Sequence, residues 1–280
     1  MRIESPANPR IKAALRAVES GERMLLEGSR ALEECLEAAI VPEEIFLEGD
    51  EGSGQDAAIR GAAERGASIC FVTSRVLSKL SDLPSARGVV ALAVPPRRSL
   101  SDLHPSQKPP SVPLPSLSRS PSSSSSSASS SSLFVLLDGV QDPANVGAIV
   151  RSAEAFGAAG VLLTPDCASP FSPKAIRASA LSALRVPIAP AVAPTEAAAW
   201  AARIGATLAG AETSGGDAPS TLAGVRPLVL VIGSEGRGIS PDLEARLALR
   251  VTIRLAGRVD SLNAAVAAGV LLAFASGRIV

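Results

Sequence analysis

Apolar positions along this chain fall into two rhythms, short unbroken runs and stripes that recur every three to four residues. Up to residue 98 the runs in RMLLEG, EIFLEG, SICFVT and GVVALAV read as strands, alternating with the helical stretches SRALEECLEAA and QDAAIRGAAERG. That alternation predicts a small α/β domain. From residue 133 onward it is cleaner: LFVLLDGV, GVLLTP, RVPIAPAV, ATLAGAE, PLVLVIG and LRVTIRL are candidate strands, most of them separated by helical segments. Strands that are apolar on both faces belong in a parallel sheet covered by helices on both sides. Between the two patterns, Ser99 to Ser132 is dominated by Pro and Ser and ends in PSSSSSSASSSS. Such a stretch cannot bury enough apolar surface to offset its ordering entropy, so it reads as a flexible linker. The expected organisation is an α/β domain at 1–98, a linker at 99–132 and a larger parallel-sheet α/β domain at 133–280.

Ligands of parallel sheets sit at the carboxyl ends of the strands, which directs attention to three loops. The first leads into DPANVGAIVRSAEAFGA, a short helix with Pro143 and Asn145 at its start, where Asn145 can serve as the cap, and a core stripe of Val146, Ile149, Val150, Ala153 and Phe156. Its other face holds Gly147, Ala148 and Ala155 around one polar group, Arg151. An arginine on a helix is commonly just solvated, but small neighbours let a ligand or another backbone come close. The second loop follows PLVLVIGSEGRG, where Gly233, Gly236 and Gly238 permit close backbone approach and Glu235 would repel a phosphate. It is neither G-x-G-x-x-G nor a Walker loop. It suits an uncharged or cationic ligand, or else is a plain glycine turn. The third is RVDSLNAAVAAGVLLAFASG, in which Ser261 can cap a helix starting at Leu262 and Asn263 stands beside it. Every side chain from Ala264 to Ala275 is apolar or absent, so that helix needs cover on all sides, from its own fold or from a second copy of the chain.

Composition narrows the chemistry. The 27 basic and 27 acidic residues cancel, so nucleic acid, if bound, meets a local patch rather than a global field. Arg10, Lys12 and Arg16 in NPRIKAALR form one such patch, or an ordinary solvated helix face. Cys35, Cys70 and Cys167 are scattered, without zinc-site or disulfide spacing, which predicts reduced core residues and no metal. No apolar run is long enough for a membrane span and no leader pattern opens the chain, giving the expectation of a cytoplasmic protein. There is no tyrosine, and the single histidine, His104, falls in the Pro/Ser stretch. Proton transfer here must use Arg, Lys, Glu, Asp, Ser or the substrate itself.

The three loops, in this order, resemble the motifs of the SpoU family of RNA 2′-O-ribose methyltransferases, members of the SPOUT class, and the resemblance runs through residues 133–280. SPANPRIKAALR and LLEGSRALEECL are similar to the substrate-binding domain that often precedes the catalytic one. The resemblance implies a SPOUT fold with a C-terminal trefoil knot, and a homodimer with active sites at the subunit interface. It implies S-adenosylmethionine held largely by backbone, with Gly233, Ile253 and Leu262 lining the pocket, and Asn145, Arg151, Glu235, Ser261 and Asn263 as polar site residues. Arginine is ordinarily a poor base, with a pKa above about 12. In the family it is thought either to take the 2′-hydroxyl proton or to hold ribose and phosphate while the phosphate helps. SPKAIRASALSALRVPI resembles a region of RNA contacts, implying Lys174, Arg177 and Ser179 as contacts or as a solvated face. The chain departs from the family pattern at Ala264 and Ala265, where Val-Ser is usual, at Phe274 near a usual Tyr, and at Leu181 in place of a usual Gly. Ribosomal RNA is the favoured substrate and transfer RNA the alternative. The rival readings are a knotted RNA-binding factor without turnover, and an ordinary nucleotide-binding enzyme.

Overall fold

The computed structural model describes residues 2–50, 56–81, 88–105 and 132–277. It forms two compact units, Met1–Pro96 with Ser169–Arg185, and Arg97–Ala168 with Val186–Val280. The Ser-rich run at 106–131, read from sequence as the body of a flexible linker, lies outside the described residues.

In the first unit the strands β1 (Arg2–Ile3), β2 (Met24–Glu27), β3 (Glu44–Glu48), β4 (Ser68–Val72) and β5 (Val89–Ala93) make a mixed sheet in the order β1-β4-β3-β5-β2. The helices are α1 (Pro9–Glu19), α2 (Ser29–Glu37), α3 (Ala57–Glu64) and α4 (Ser74–Leu80). Two starts follow from local chemistry, since the Asn8 and Asp56 side chains accept hydrogen bonds from the backbone N–H of Arg10 and Ala58. Ile11, Phe46, Cys70, Val72, Val76, Leu77 and Val90 close the core. Ser169–Arg185, inside the span that the sequence assigns to the larger domain, packs with this unit: its helix α6 (Pro173–Ala178) lies against β2 and buries Ile176.

The second unit contains β6 (Leu133–Asp138), β7 (Gly160–Leu163), β8 (Ile188–Ala189), β9 (Thr207–Glu212), β10 (Leu228–Gly233) and β11 (Leu249–Thr252). They form a wholly parallel sheet in the order β11-β9-β10-β6-β7-β8. The expected parallel sheet is therefore present, and its apolar strands are buried on both faces. On one face α7 (Pro194–Arg203) and α8 (Pro241–Glu244) cover a core of Phe134, Leu136, Leu162, Trp200, Val229 and Val231. Phe134 and Trp200 meet edge to face with ring centroids 4.9 Å apart. The helices α5 (Pro143–Ala155) and α9 (Ala264–Ser276) pack against each other, α5 also on β6 and β7 and α9 on β9 and β10.

The opening residues of the Pro/Ser segment are built into this unit rather than free. Arg98 N donates to Ile188 O at 2.8 Å, Ser99 and Asp102 cap a short 3-10 turn, and Leu103 is 1% exposed in the core. An apolar residue four places into a Ser-rich tract outweighed the composition of its surroundings.

Candidate active site

Strand β6 lies in the middle of the second sheet, and the chain order reverses beside it, between β6 and β10. Such a switch point opens a crevice at the carboxyl ends of the strands. There the loop after β10 folds back on itself: Ser234 and Gly238 exchange backbone hydrogen bonds of 3.0 and 2.9 Å, and Gly238 has φ +69°. A Cβ on Gly233 would stand 2.4 Å from the Gly238 carbonyl carbon, so this turn requires glycine at that position. The buried Asp138 carboxylate, at the end of β6, accepts from Ser240 N at 2.6 Å and ties the far side of the loop to the sheet.

Three polar residues from three motifs meet above this loop. Asn145 Nδ2 donates to Glu235 Oε1 at 2.7 Å, and Asn263 Nδ2 donates to Asn145 Oδ1 at 2.9 Å. A longer bond of 3.4 Å joins Asn263 Nδ2 to Glu235 Oε1. The carboxylate thus receives donors from two helices, and both amides have fixed orientations. The structure corrects two capping assignments in the process. Asp142, not Asn145, caps α5, accepting from Ala144 N, while Asn145 sits inside the first turn with its side chain turned to Glu235. Asn263, not Ser261, caps α9, its Oδ1 accepting from Ala265 N at 3.0 Å and Val266 N at 3.3 Å. The helix starts at Ala264, two residues later than the sequence suggests.

Beside this cluster a cavity of about 320 Å³ opens at the ends of β9, β10 and β11. Gly233, Ile253 and Leu262 all line it, as do Glu235 and Ser261. Its apolar wall is completed by Ile232, Val251 and Leu271. Two further acidic lining residues, Glu212 and Asp260, escape motif reading. Glu212 had a usable signal, because it closes the strand ATLAGAE, and strand ends are where such sheets bind. The lining carries three carboxylates and no Lys, Arg or His.

Arg151 is not part of this cluster in one chain. Six residues beyond Asn145, it is about 9 Å further along the helix and about 120° around it. It is exposed, and among the described residues it has no ion pair or side-chain hydrogen bond. Burial pushes the Cys35 thiol up to about 12 and raises those of Cys70 and Cys167, so none of the three is a thiolate nucleophile near neutral pH. Of the residues read as RNA contacts, Lys12, Lys174 and Arg177 are exposed, while Arg10 pairs with Glu44. Ser179 is corrected: it is fully buried, its hydroxyl donating to Ile176 O at 2.9 Å and accepting from Ala183 N, which closes the turn after α6.

Residues 132–273 match the SpoU rRNA Methylase family. The chain belongs to this family. Ahead of the SpoU domain, residues 25–99 match the RNA 2′-O ribose methyltransferase substrate binding family. A protein of Mycobacterium ulcerans described as an uncharacterized tRNA/rRNA methyltransferase is 34% identical, over 98% of this chain and 84% of its own length. The AdoMet-bound rRNA methyltransferase of Sinorhizobium meliloti has a solved structure that superimposes with a TM-score of 0.81 at 25% identity, covering 100% of this chain and 98% of that one. A solved RNA 2′-O ribose methyltransferase gives a TM-score of 0.72 at 29% identity, over 99% and 98% of the two chains. This SpoU protein is an RNA methyltransferase, with a substrate-binding unit and a parallel-sheet unit. Among its described residues no group of His, Cys, Asp and Glu is placed to hold a metal ion, and no helix is long and apolar enough to cross a membrane.

Proposed function

We propose that the protein methylates a ribose 2′-hydroxyl of structured RNA, ribosomal RNA ahead of transfer RNA, with S-adenosylmethionine in the cavity at the ends of β9, β10 and β11. The observation that carries this reading is the charge of the lining: Glu212, Glu235 and Asp260, with no basic residue in the wall and Arg250 outside it at 3.9 Å from Glu212. Three carboxylates disfavour a nucleotide triphosphate or dinucleotide there, while a cationic ligand is attracted. The cavity's volume lies in the range of about 300–1,000 Å³ usual for small-molecule sites. Gly233, Ile253 and Leu262 would hold the cofactor, the first by exposing backbone that a side chain would cover. S-adenosylmethionine supplies a methyl group activated by a sulfonium.

The chain's own work is to hold the ribose hydroxyl, keep water out and manage its proton. The Asn145–Glu235–Asn263 network fixes the loop that borders the cavity, and Ser261, which also lines it, is assigned to the substrate hydroxyl. Arg151, a planar fork of donors, is assigned to the ribose and its neighbouring phosphate. Because it stands outside the cavity of its own chain, this role goes with a homodimer that brings its face to the site. The open face of α9, where Val266 is 53% exposed in an otherwise apolar helix, supports that assembly. Family resemblance also supports the trefoil knot in the C-terminal segment. On the substrate side, Arg10, Lys12, Lys174 and Arg177 are assigned to RNA. The reaction is placed in the cytoplasm, with its RNA.

The test is direct. Purified protein, labelled S-adenosylmethionine and total RNA from cells lacking the gene are combined, and the RNA is digested to nucleosides. Label in a 2′-O-methyl nucleoside is expected. Label confined to a base, or none, overturns the reading.

A further inference from the structure

A second cavity, of about 220 Å³, lies in the first unit and is lined by Leu25, Glu27, Arg30, Ala31, Ile176, Arg177, Ala180 and Leu181. Its walls are apolar except for one carboxylate and two guanidinium groups. The carboxylate is already committed: Glu27 Oε1 accepts from Ser81 Oγ at 2.5 Å and its Oε2 from Arg177 Nη1 at 2.9 Å. With its side chain only 6% exposed, Glu27 is an anchor, and Arg177 is pinned to it by one edge while a third of its surface stays open. A guanidinium held in this way presents a flat, rigid cationic face. Arg30 contrasts with it, being 85% exposed and 4.0 Å from its nearest carboxylate, that of Glu34.

The far wall is built on an uncommon backbone. Ala180 and Leu181 are consecutive non-glycine residues at φ +47° and +68°. Positive φ is unfavourable at each such residue, and it persists where the surroundings enforce it, often at functional sites. Here Leu181 joins the lining together with Leu25 of β2 and Ala31 of α2.

Flat guanidinium, apolar walls and an exposed, loosely paired peripheral cation are the set by which proteins hold an unstacked RNA base: stacking on Arg, contact with aliphatic side chains, and a phosphate on a mobile basic group. At about 220 Å³ the space is below that of ordinary drug-sized pockets, and takes one base rather than a base pair. We propose that this cavity receives a single unstacked nucleotide of the RNA substrate, its base on the Arg177 guanidinium and its phosphate on Arg30. The inference rests on the RNA reading above and goes beyond it by giving the substrate-binding unit a specific pocket and a specific RNA feature, a nucleotide flipped from its stack. The match of residues 25–99 to a substrate-binding family fits that placement.

The full chain is tested with the same total RNA, by equilibrium binding and by methyl transfer. Arg30→Ala is expected to weaken RNA binding about tenfold and to make its salt dependence shallower by close to one ion released. Ala180→Phe, on an exposed lining residue, fills the cavity and is expected to raise KM for RNA at least as much, with S-adenosylmethionine affinity as in the parent. Because its larger side chain stands at φ +47°, thermal unfolding is recorded beside it, and Arg30→Ala, at a regular position of α2, decides the matter if Ala180→Phe is destabilised. Parent-like RNA binding and KM in both variants would overturn the pocket. The binding measurement decides this even if the parent transfers no methyl group, an outcome that would instead sink the methyltransferase reading.

Discussion

Asn263 uses the two ends of one amide for different purposes: its oxygen caps α9 and its nitrogen holds Asn145 and Glu235. Substitutions separate them. Asn263→Ala removes cap and network together, and is expected to lower unfolding free energy by about 0.5–2 kcal/mol in denaturant titration, besides lowering transfer. Asn145→Ala leaves the cap untouched, so it should lose transfer with a smaller stability change. Equal stability of Asn263→Ala and the parent would remove the cap from the account. Arg151 carries a different expectation, because it is exposed and, among the described residues, has no ion pair or side-chain hydrogen bond. Arg151→Ala should retain melting temperature and most S-adenosylmethionine affinity while transfer falls by ~100-fold or more. Arg151→Lys should not recover it, since a point charge cannot reproduce the planar fork. Single-turnover transfer with cofactor saturating is the measurement, and near-parent rates for Arg151→Ala would return this residue to the solvated surface.

Among elements, the loop after β10 is the most constrained. Gly233→Ala puts a methyl group 2.4 Å from backbone that has no slack, because Ser234, Gly238 and Ser240 are all hydrogen-bonded. The loop must shift, and S-adenosylmethionine affinity by calorimetry is expected to fall at least tenfold; an unchanged Kd would mean that this backbone does not border the cofactor. The strands of both sheets were legible from apolar runs because burial on two faces leaves no other pattern. Short elements were less so, although β8, two residues long, fell within the run RVPIAPAV. β1 is two residues long and α4 seven, too brief for a period to register. The caps were misread for a related reason: Asp142 and Asn145, or Ser261 and Asn263, are equally good capping types a few residues apart. Asn145 is drawn to Glu235, 90 residues away, which leaves Asp142 to cap α5, while Asn263 caps α9 with its oxygen and reaches Asn145 and Glu235 with its nitrogen. Glu235 was recognisable as a site residue from its glycine setting, while its two amide partners could be paired with it only through the fold.

At the scale of the whole molecule, sequence order and spatial grouping part company. Ser169–Arg185 sits within the SpoU match yet packs with the first unit, through ion pairs of Arg177 with Glu27 and Arg185 with Glu34 across some 150 residues of chain. No local pattern encodes such a pairing. The helix α9 raises the corresponding question about assembly. Its sequence demands cover on every side, and one chain does not provide it: Ala268, Leu272 and Ala275 are fully buried while Val266 is 53% exposed. Ala268 therefore reports on the packing of the chain itself, and Val266 is the position that reports on a second copy. In an isolated chain Val266→Glu places its carboxylate in water and should fold with little change in melting temperature. Within an apolar subunit interface the same carboxylate would be buried without a partner, at a cost of several kcal/mol. The expected result by light scattering is a folded monomer. Since Arg151 is assigned to a site completed by the partner, that monomer should also lose methyl transfer. A Val266→Glu protein that remains a fully active dimer would move the interface away from α9, and a folded monomer with parental activity would return Arg151 to a role within its own chain.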